Sequence, residues 1–198
     1  MIVGITGGIG SGKSTVVKLL AKYPNTAIYT ADEEAKKLMN SSKIIADKLI
    51  LEFGNETYQN GELQRDFLSK IVFQNPEKLA ILNSIVHPEV RNHFQNFIKL
   101  NQDKLLIIYE NAILFESKSN LMCDVIITVF ASLLVRIERV MQRDHCLNDA
   151  VVSRIKNQLN EEIKMLQSHY IIINDTIEHT ENQVKYIHNI LTEKSITI

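Results

Sequence analysis

The sequence predicts an α/β fold built on a parallel sheet, and two observations support this prediction. Short runs of apolar, β-branched or aromatic residues are typical of buried strands, and they occur at 1–6, 26–30, 105–110, 124–130 and 170–174. Segments with the apolar spacing of helices lie between them. Strands that alternate with helices along a chain usually pair into a parallel sheet.

The residues after the first strand, GITGGIGSGKST at 4–15, match the pattern G-x-x-x-x-G-K-[ST]. A helix is predicted from Lys13 to Lys22, and its apolar stripe consists of Val16, Val17, Leu19 and Leu20. Glycines let backbone N–H groups turn toward phosphate oxygens, and the helix start adds the positive end of its dipole. We expect Lys13 to reach the β- and γ-phosphates and Ser14 to hold Mg²⁺. The pattern predicts a nucleoside triphosphate site without specifying a kinase, a switch or a motor.

Asp32 follows the second strand, TAIYT at 26–30, on the edge of the sheet where ligands bind. A carboxylate there could accept the proton of an attacking hydroxyl group. Thr30 and Glu33 also fit a capping box, in which case Asp32 would only favour the positive end of the helix. The residues alone leave both interpretations open.

The stretch 31–104 has no strand pattern, so we predict several helices that form an inserted substrate-holding subdomain. Arg65 lies in this stretch and could pair with a substrate phosphate. His87 could also contact substrate. Its alternative is a loop position at a helix start, with Pro88 as the first helical residue.

A second basic group lies in LLVRIERVMQRD at 133–144, where Arg136, Arg139 and Arg143 share one helix face. Such arginines could close over a transferring phosphoryl group, or they could form a solvated basic face. A further helix is expected over 147–167, and the residues beyond about Leu191 look frayed.

The composition limits the class of protein. The 198 residues are 45% hydrophobic and carry 22 basic and 23 acidic side chains, for a net charge of −1. This fits one globular domain and argues against a general binder of nucleic acid or anionic membranes. No apolar run reaches the roughly 18 residues of a membrane span. The first residues lack the pattern of a signal peptide, in which a basic segment precedes an apolar one. We expect a cytoplasmic protein; the sequence does not indicate an oligomeric state.

Taken in order, GITGGIGSGKS, AD, LQR, HP, ILFE and RVMQRD resemble the dephospho-CoA kinase family over nearly the whole chain. The resemblance implies transfer of the γ-phosphoryl group of ATP to the ribose 3′-hydroxyl of dephospho-CoA, giving CoA and ADP in the last step of coenzyme A synthesis. It implies a three-layer P-loop kinase core at 1–31 and 104–198. It also implies a helical CoA-substrate subdomain at 32–103 and a lid at about 136–150.

The resemblance also implies roles for single residues. Lys13, Asp32, Arg139 and Arg143 would be catalytic, with Asp32 activating the acceptor hydroxyl and also contacting dephospho-CoA beside Arg65 and His87. The residues expected to bind ATP are Gly8, Gly10, Ser11, Gly12, Lys13, Ser14 and Thr15, and Ser14 would hold Mg²⁺. Three departures from the family stand out. In the run 168–174, Asn174 matches the family but the acid that precedes it is missing, and two single positions also differ. Thr30 stands where an aspartate is frequent, and Ala112 stands where a proline would stiffen the loop.

Two alternatives share the triphosphate-binding pattern. One is another small-molecule kinase with a nucleotide-type acceptor. The other is a nucleotide-dependent switch, for which a GTPase would need an NKxD sequence that this chain lacks. A motor ATPase would normally show an apolar strand that ends in Asp; LLIIYE ends in Glu110, so this feature alone does not exclude a motor. The length of the chain and its helical insert favour a kinase.

Overall fold

The computed structural model describes residues 1–72 and 75–197, which form two compact units. The sheet unit is Met1–Thr30 with Asn101–Ile198, and the helical unit is Ala31–Leu100. In chain order the strands and α-helices are β1 Ile2–Thr6, α1 Lys13–Leu20, β2 Thr26–Thr30, α2 Ala31–Ser41, α3 Lys43–Phe53, β3 Tyr58–Gln59, β4 Glu62–Leu63, α4 Arg65–Val72, α5 Pro76–Leu100, β5 Leu106–Glu110, β6 Val125–Phe130, α6 Leu133–Asp144, α7 Asn148–Lys156, α8 Glu161–Leu166, β7 Tyr170–Ile173 and α9 Ile177–Thr197.

The sheet unit contains a parallel sheet of five strands in the order β2-β5-β1-β6-β7. Its strands correspond to the five apolar runs, so the predicted α/β class with a parallel sheet is confirmed. The central strand, β1, is set between β5 and β6 by register pairs such as Gly4 with Tyr109 and Gly4 with Ile126. All five carboxyl ends therefore lie along one edge, and the loop after β1 opens at the middle of that edge.

The core of the sheet unit joins β1 and its neighbours to two helices that contact each other, α1 and α9. Inner strands are buried on both faces, which explains why their sequences are continuous apolar runs. Fully buried members of this core include Val3, Ile5, Val16, Leu106, Ile108, Ile127, Val129 and Leu191. Among the described residues, no helix is both long enough and apolar enough to cross a bilayer.

The helical unit contains α2 to α5 and one short hairpin, which corrects the prediction of a stretch without strands. Tyr58 pairs with Leu63 and Gln59 pairs with Glu62 in antiparallel register. Asn60 and Gly61 form the turn with φ of 51° and 82°, as a two-residue hairpin turn with both centres at positive φ requires. The Asn-Gly pair in the sequence is typical of a hairpin turn, but strands of two residues are too short to show alternation of apolar and polar residues.

The expectation that Pro88 begins a helix is wrong, because α5 runs through it. Pro88 has no N–H to donate to the carbonyl of Ser84, so the helix continues without one of its hydrogen bonds. Pro76 is the first residue of α5 instead. There the Asn75 Oδ1 accepts from the backbone N–H groups of Glu77 and Lys78 at 3.0 and 3.2 Å, which caps the helix.

Two further expectations near the carboxyl end are wrong. The single helix expected over 147–167 is divided into α7 and α8, because Asn160 starts a new helix by accepting from the Glu162 N–H at 2.7 Å. The residues beyond Leu191 continue α9 as far as Thr197. Leu191 is itself fully buried in the core, which attaches the last turns of α9 to the sheet unit. Ile198 lies outside the described residues.

The contact between α9 and Tyr23, in the turn after α1, predicts a loss of stability in acid. The ring of His188 stacks on Tyr23 with a centroid separation of 3.6 Å, and burial lowers the pKa of His188 from its ordinary value of 6.5. A depressed histidine pKa stabilises the fold above pH 6.5, and this contribution is lost as the pH falls through the folded pKa. His188→Phe keeps an aromatic ring on Tyr23 and removes the titration.

We therefore expect the fall in Tm between about pH 8 and about pH 5 to be smaller in His188→Phe than in the parent protein. Thermal unfolding followed by circular dichroism measures it. His145→Asn is the matched control, because His145 is exposed and its φ of 50° suits asparagine. An unchanged fall in Tm for His188→Phe would show that His188 does not contribute to the acid sensitivity.

Candidate active site

Residues 7–15, which comprise the loop between β1 and α1 and the first turn of α1, are called the phosphate loop from here on. Its lysine folds back over it: the Lys13 Nζ donates to the carbonyl of Gly7 at 2.9 Å and to that of Gly8 at 3.4 Å. Lys13 is 9% exposed, so this ammonium group is held close to the backbone. The arrangement places a cationic group within the loop that the sequence assigned to phosphate.

The start of α1 is suited to an anion. Gly12 occupies the N-cap position with φ of 92°, where no side chain caps the helix, and the first turn contains no acidic residue. The positive end of the helix dipole is therefore uncompensated by this helix's own residues. The Ser11 Oγ is buried and has no hydrogen-bond partner among the described residues, and Ser14 is exposed. Backbone and hydroxyl donors of this kind fit a phosphate chain, and a hydroxyl oxygen such as that of Ser14 could bind its metal ion.

Asn174, which directly follows β7, fixes the phosphate loop from one side. Its Nδ2 donates to the Ser11 carbonyl at 2.8 Å, and its Oδ1 accepts from the Thr180 hydroxyl at 3.1 Å. Any side chain at Gly12 would overlap the Asn174 amide. A cavity of about 250 Å³ lies here, and its lining residues are Gly12, Thr15, Arg139, Asn174, Asp175 and Ile177.

The three arginines of α6 share a helix face but have different surroundings. Arg136 is 3% exposed and donates through Nε to the carbonyl of Ile9 at 3.0 Å, so it does not belong to a solvated face. Arg139 donates through Nη2 to the Asn174 carbonyl at 3.2 Å, and its buried Nη1 has no hydrogen-bond partner within the described chain. Helical spacing alone could not distinguish these environments.

Arg143 lies farther along α6, with a side chain that is 62% exposed. It donates to both carboxylate oxygens of Asp144, at 2.7 and 3.0 Å, and this hydrogen bonding raises the pKa of Arg143. Arg154 adds a contact at 2.6 Å to the same carboxylate. The hydrogen bonds from Arg143 and then from Arg154 lower the pKa of Asp144 to about 2, so Asp144 is ionised throughout the neutral range.

The other candidates lie in the helical unit. Asp32 is exposed in the first turn of α2, with Glu33 and Glu34, and Arg65 is the exposed first residue of α4. His87 is half-buried on α5. Burial lowers the pKa of His87 and the charge of Arg91 lowers it further, whereas Asp32 raises it; the net shift is downward from 6.5. Asp32, His87 and Arg91 therefore share one electrostatic environment, in which His87 is neutral at pH 7.

Several residues at the site were not proposed from the sequence. Gln158 and Glu161, in and after the connection between α7 and α8, contact the phosphate loop and Arg136 respectively. Arg91 follows His87 by one helical turn. Asn174 alone carried a positional signal, because a polar residue at the end of a buried strand lies on the ligand edge of the sheet. Gln158 and Glu161 are polar residues in a polar stretch, so their sequence context gives no sign of contact with the loop.

The chain is similar to known proteins over most of its length. The family model described as dephospho-CoA kinase matches residues 1–179. A dephospho-CoA kinase of Fusobacterium nucleatum is 38% identical over 177 residues, which cover 89% of this chain and 90% of the relative. The crystal structure of TT1252 from Thermus thermophilus superposes with a TM-score of 0.80 at 31% identity and covers 96% of both chains.

A more distant structure supports the fold alone. The shikimate kinase of Bacteroides thetaiotaomicron superposes with a TM-score of 0.56 at 14% identity, covering 96% of this chain and 98% of that one. The parallel sheet flanked by helices is therefore the architecture of P-loop kinases, as the fold prediction required. With a family match over residues 1–179 and a relative 38% identical across most of both chains, this protein belongs to the dephospho-CoA kinase family.

Proposed function

We propose that the phosphate loop binds ATP with Mg²⁺ and that Asp32 activates the ribose 3′-hydroxyl of dephospho-CoA. The reaction itself, ATP-dependent phosphorylation of dephospho-CoA in coenzyme A synthesis, is that of the family. The observation that carries the residue assignment is the start of α1. There the Lys13 ammonium group and the uncapped helix terminus lie beside the Ser11 hydroxyl, which has no hydrogen-bond partner in the part of the chain that the structure describes, and that helix turn contains no acidic side chain.

ATP is placed by its phosphates first. Backbone amides between Gly8 and Thr15 surround the phosphate chain, and Lys13 exchanges its two loop carbonyls for oxygens of the β- and γ-phosphates. The exposed Ser14 hydroxyl would hold Mg²⁺, which neutralises charge on those oxygens when it is bound. The cavity beside Gly12 and Asn174 lies at the end of this chain of amides, so we assign it to the nucleoside part of ATP.

Arg139 and Arg143 have different parts in this proposal. Arg139 already lies beside Gly12, and its unbonded Nη1 can donate to a phosphate oxygen without breaking an existing hydrogen bond of that atom. Arg143 is held by Asp144 and would have to exchange that carboxylate for phosphate when the segment at about 136–150 closes as a lid. Both guanidinium groups would stabilise the charge that spreads over the equatorial oxygens of the transferred phosphoryl group.

The acceptor is placed by the helical unit. Asp32, as a carboxylate, accepts the proton of the 3′-hydroxyl while the ribose oxygen bonds to the γ-phosphorus. The bond from that phosphorus to the β–γ bridging oxygen breaks, and ADP leaves. The neutral imidazole of His87 can hydrogen-bond the acceptor without adding charge beside Asp32. Arg65 is exposed and is assigned to a phosphate of the acceptor.

The acceptor assignment is tested by turnover with a panel. The purified protein with ATP and Mg²⁺ should phosphorylate dephospho-CoA and leave nucleoside monophosphates and shikimate unreacted. Mass spectrometry of the product locates the phosphate, which we expect on the ribose 3′-oxygen. Turnover of a monophosphate without turnover of dephospho-CoA would favour the alternative of a nucleotide-type kinase.

Asp32→Asn should lower kcat by about 10²- to 10⁴-fold, because the amide cannot accept the hydroxyl proton. The Kd for ATP should stay within about 3-fold of the parent value, since the proposed ATP contacts are unaltered. Glu33→Gln is the matched control, because it removes a carboxylate from the same first turn of α2 and should leave kcat unchanged. Equal kcat values for Asp32→Asn and the parent would assign Asp32 to helix stabilisation alone.

Arg143→Ala should reduce kcat while changing Tm by no more than about 2 °C, because its ion pair with Asp144 is largely exposed. Arg154→Ala removes the other guanidinium group from Asp144 and should keep kcat, which makes it the control. A fall in Tm for Arg143→Ala well above that of Arg154→Ala, with kcat intact, would assign Arg143 to a structural ion pair.

A further inference from the structure

Ile9, between two glycines of the phosphate loop, has both of its backbone polar groups held by side chains. Its N–H donates to the Gln158 Oε1 at 2.8 Å, and its carbonyl accepts from the Arg136 Nε at 3.0 Å. Arg136 belongs to α6, and Gln158 lies between α7 and α8. The peptide groups on either side of Ile9 are therefore fixed from a segment more than a hundred residues away in the chain.

The arginine in this contact is itself held in place. Arg136 is 3% exposed, and its Nη1 lies 3.6 Å from the Glu161 Oε2, whose side chain is 12% exposed. Neither carboxylate oxygen of Glu161 has a hydrogen-bond partner among the described residues. A buried carboxylate without hydrogen bonds depends on a nearby opposite charge, so Glu161 and Arg136 restrain each other.

The approach of α6 to the loop is close enough to require glycine on both sides of Ile9. A Cβ at Gly8 would overlap the Arg136 guanidinium group, and a Cβ at Gly10 would come within 2.5 Å of the Arg136 carbonyl oxygen. Two glycines of the loop thus accommodate a neighbouring helix as well as a phosphate chain.

We propose that Arg136 and Gln158 are positioning residues, which fix the Ile9 backbone so that the amides of the phosphate loop converge on the phosphate chain. The Nε of Arg136 is committed to Ile9 and its Nη1 faces Glu161, so Arg136 acts through the loop, unlike Arg139 and Arg143. The inference rests on the proposed ATP site. Pre-ordered amides lose little conformational entropy when they bind phosphate, and a loop released from these contacts must be ordered by the ligand.

The inference predicts a loss of binding affinity that is specific to the phosphate chain. Gln158→Met retains side-chain length and removes the acceptor for the Ile9 N–H. We expect its Kd for ATP to rise by about 10-fold, and its Kd for tripolyphosphate to rise by the same factor. Adenosine binding should not change, because the cavity at Gly12 and Asn174 is untouched. The KM for dephospho-CoA should also be unchanged, and Gln167→Met, at an exposed position after α8, should behave like the parent.

Arg136→Lys separates charge from hydrogen bonding. A lysine can still pair with Glu161 but lacks the Nε–H that donates to the Ile9 carbonyl. The loss of affinity for tripolyphosphate should therefore persist. The double variant Arg136→Met/Glu161→Leu removes both buried charges together and provides a folded test if the single change disturbs the core. It should show the same loss of tripolyphosphate affinity.

Isothermal titration calorimetry with ATP, tripolyphosphate and adenosine measures these affinities, and the Tm of each variant is recorded alongside. Parent-like tripolyphosphate binding by folded Gln158→Met and Arg136→Lys overturns the inference, whatever their Tm. Equal losses for adenosine and tripolyphosphate overturn it as well, because they indicate general damage. These measurements need no acceptor, so a failure to phosphorylate dephospho-CoA would count against the proposed function and leave this test intact.

Discussion

The uncapped start of α1 is the constraint on which the site depends. A helix terminus without a side-chain cap and without an acid leaves backbone N–H groups that need an acceptor. The neighbouring carbonyls of Gly7 and Gly8 accept hydrogen bonds from the Lys13 ammonium group. In the function proposed above, phosphate binding would exchange these contacts for stronger ones, and the buried lysine would already lie close to the phosphate.

A glycine-rich loop can serve this purpose only if other elements restrict it, because glycine has the largest backbone entropy to lose. The Asn174 amide bonds to the Ser11 carbonyl from the end of β7. Arg136 and Gln158 bond to Ile9 from α6 and from the connection after α7. The loop is thus rich in glycine, but hydrogen bonds from separate elements restrain its backbone. A preorganised anion site requires such restraint.

The sequence was sufficient for the features that depend on neighbouring residues. All five strands of the sheet and the strand–loop–helix order around the phosphate loop follow from apolar runs and glycine spacing. The family resemblance named the reaction. Local sequence patterns did not predict the structure where the length of an element or a tertiary contact determined it. The two-residue strands on either side of Asn60-Gly61 are too short to show an alternating pattern. Pro88 lies inside α5, because this helix begins at Pro76 and continues through Pro88.

The arginines of α6 show the same limit at the site. A spacing of three and four residues correctly places Arg136, Arg139 and Arg143 on one helix face, but it cannot show which part of that face is covered. Arg136 is buried against Ile9, whereas the Arg143 side chain remains 62% exposed. Glu161, which faces the buried Arg136, comes from a later part of the chain with no distinctive pattern.

The turn after β5 is held by side chains from a later part of the chain. The Ala112 carbonyl accepts from the Lys164 Nζ at 2.9 Å, at a position where the family resemblance leads us to expect a proline. Lys164 is fully buried and lies 3.1 Å from the Glu116 Oε1, which also accepts from the Leu159 N–H at 2.8 Å. Burying the Lys164 ammonium group has a desolvation cost, but its contacts with the Ala112 carbonyl and with Glu116 restrain the turn. Residues 158–164 therefore contact both the turn after β5 and the phosphate loop after β1, at the ends of two adjacent strands.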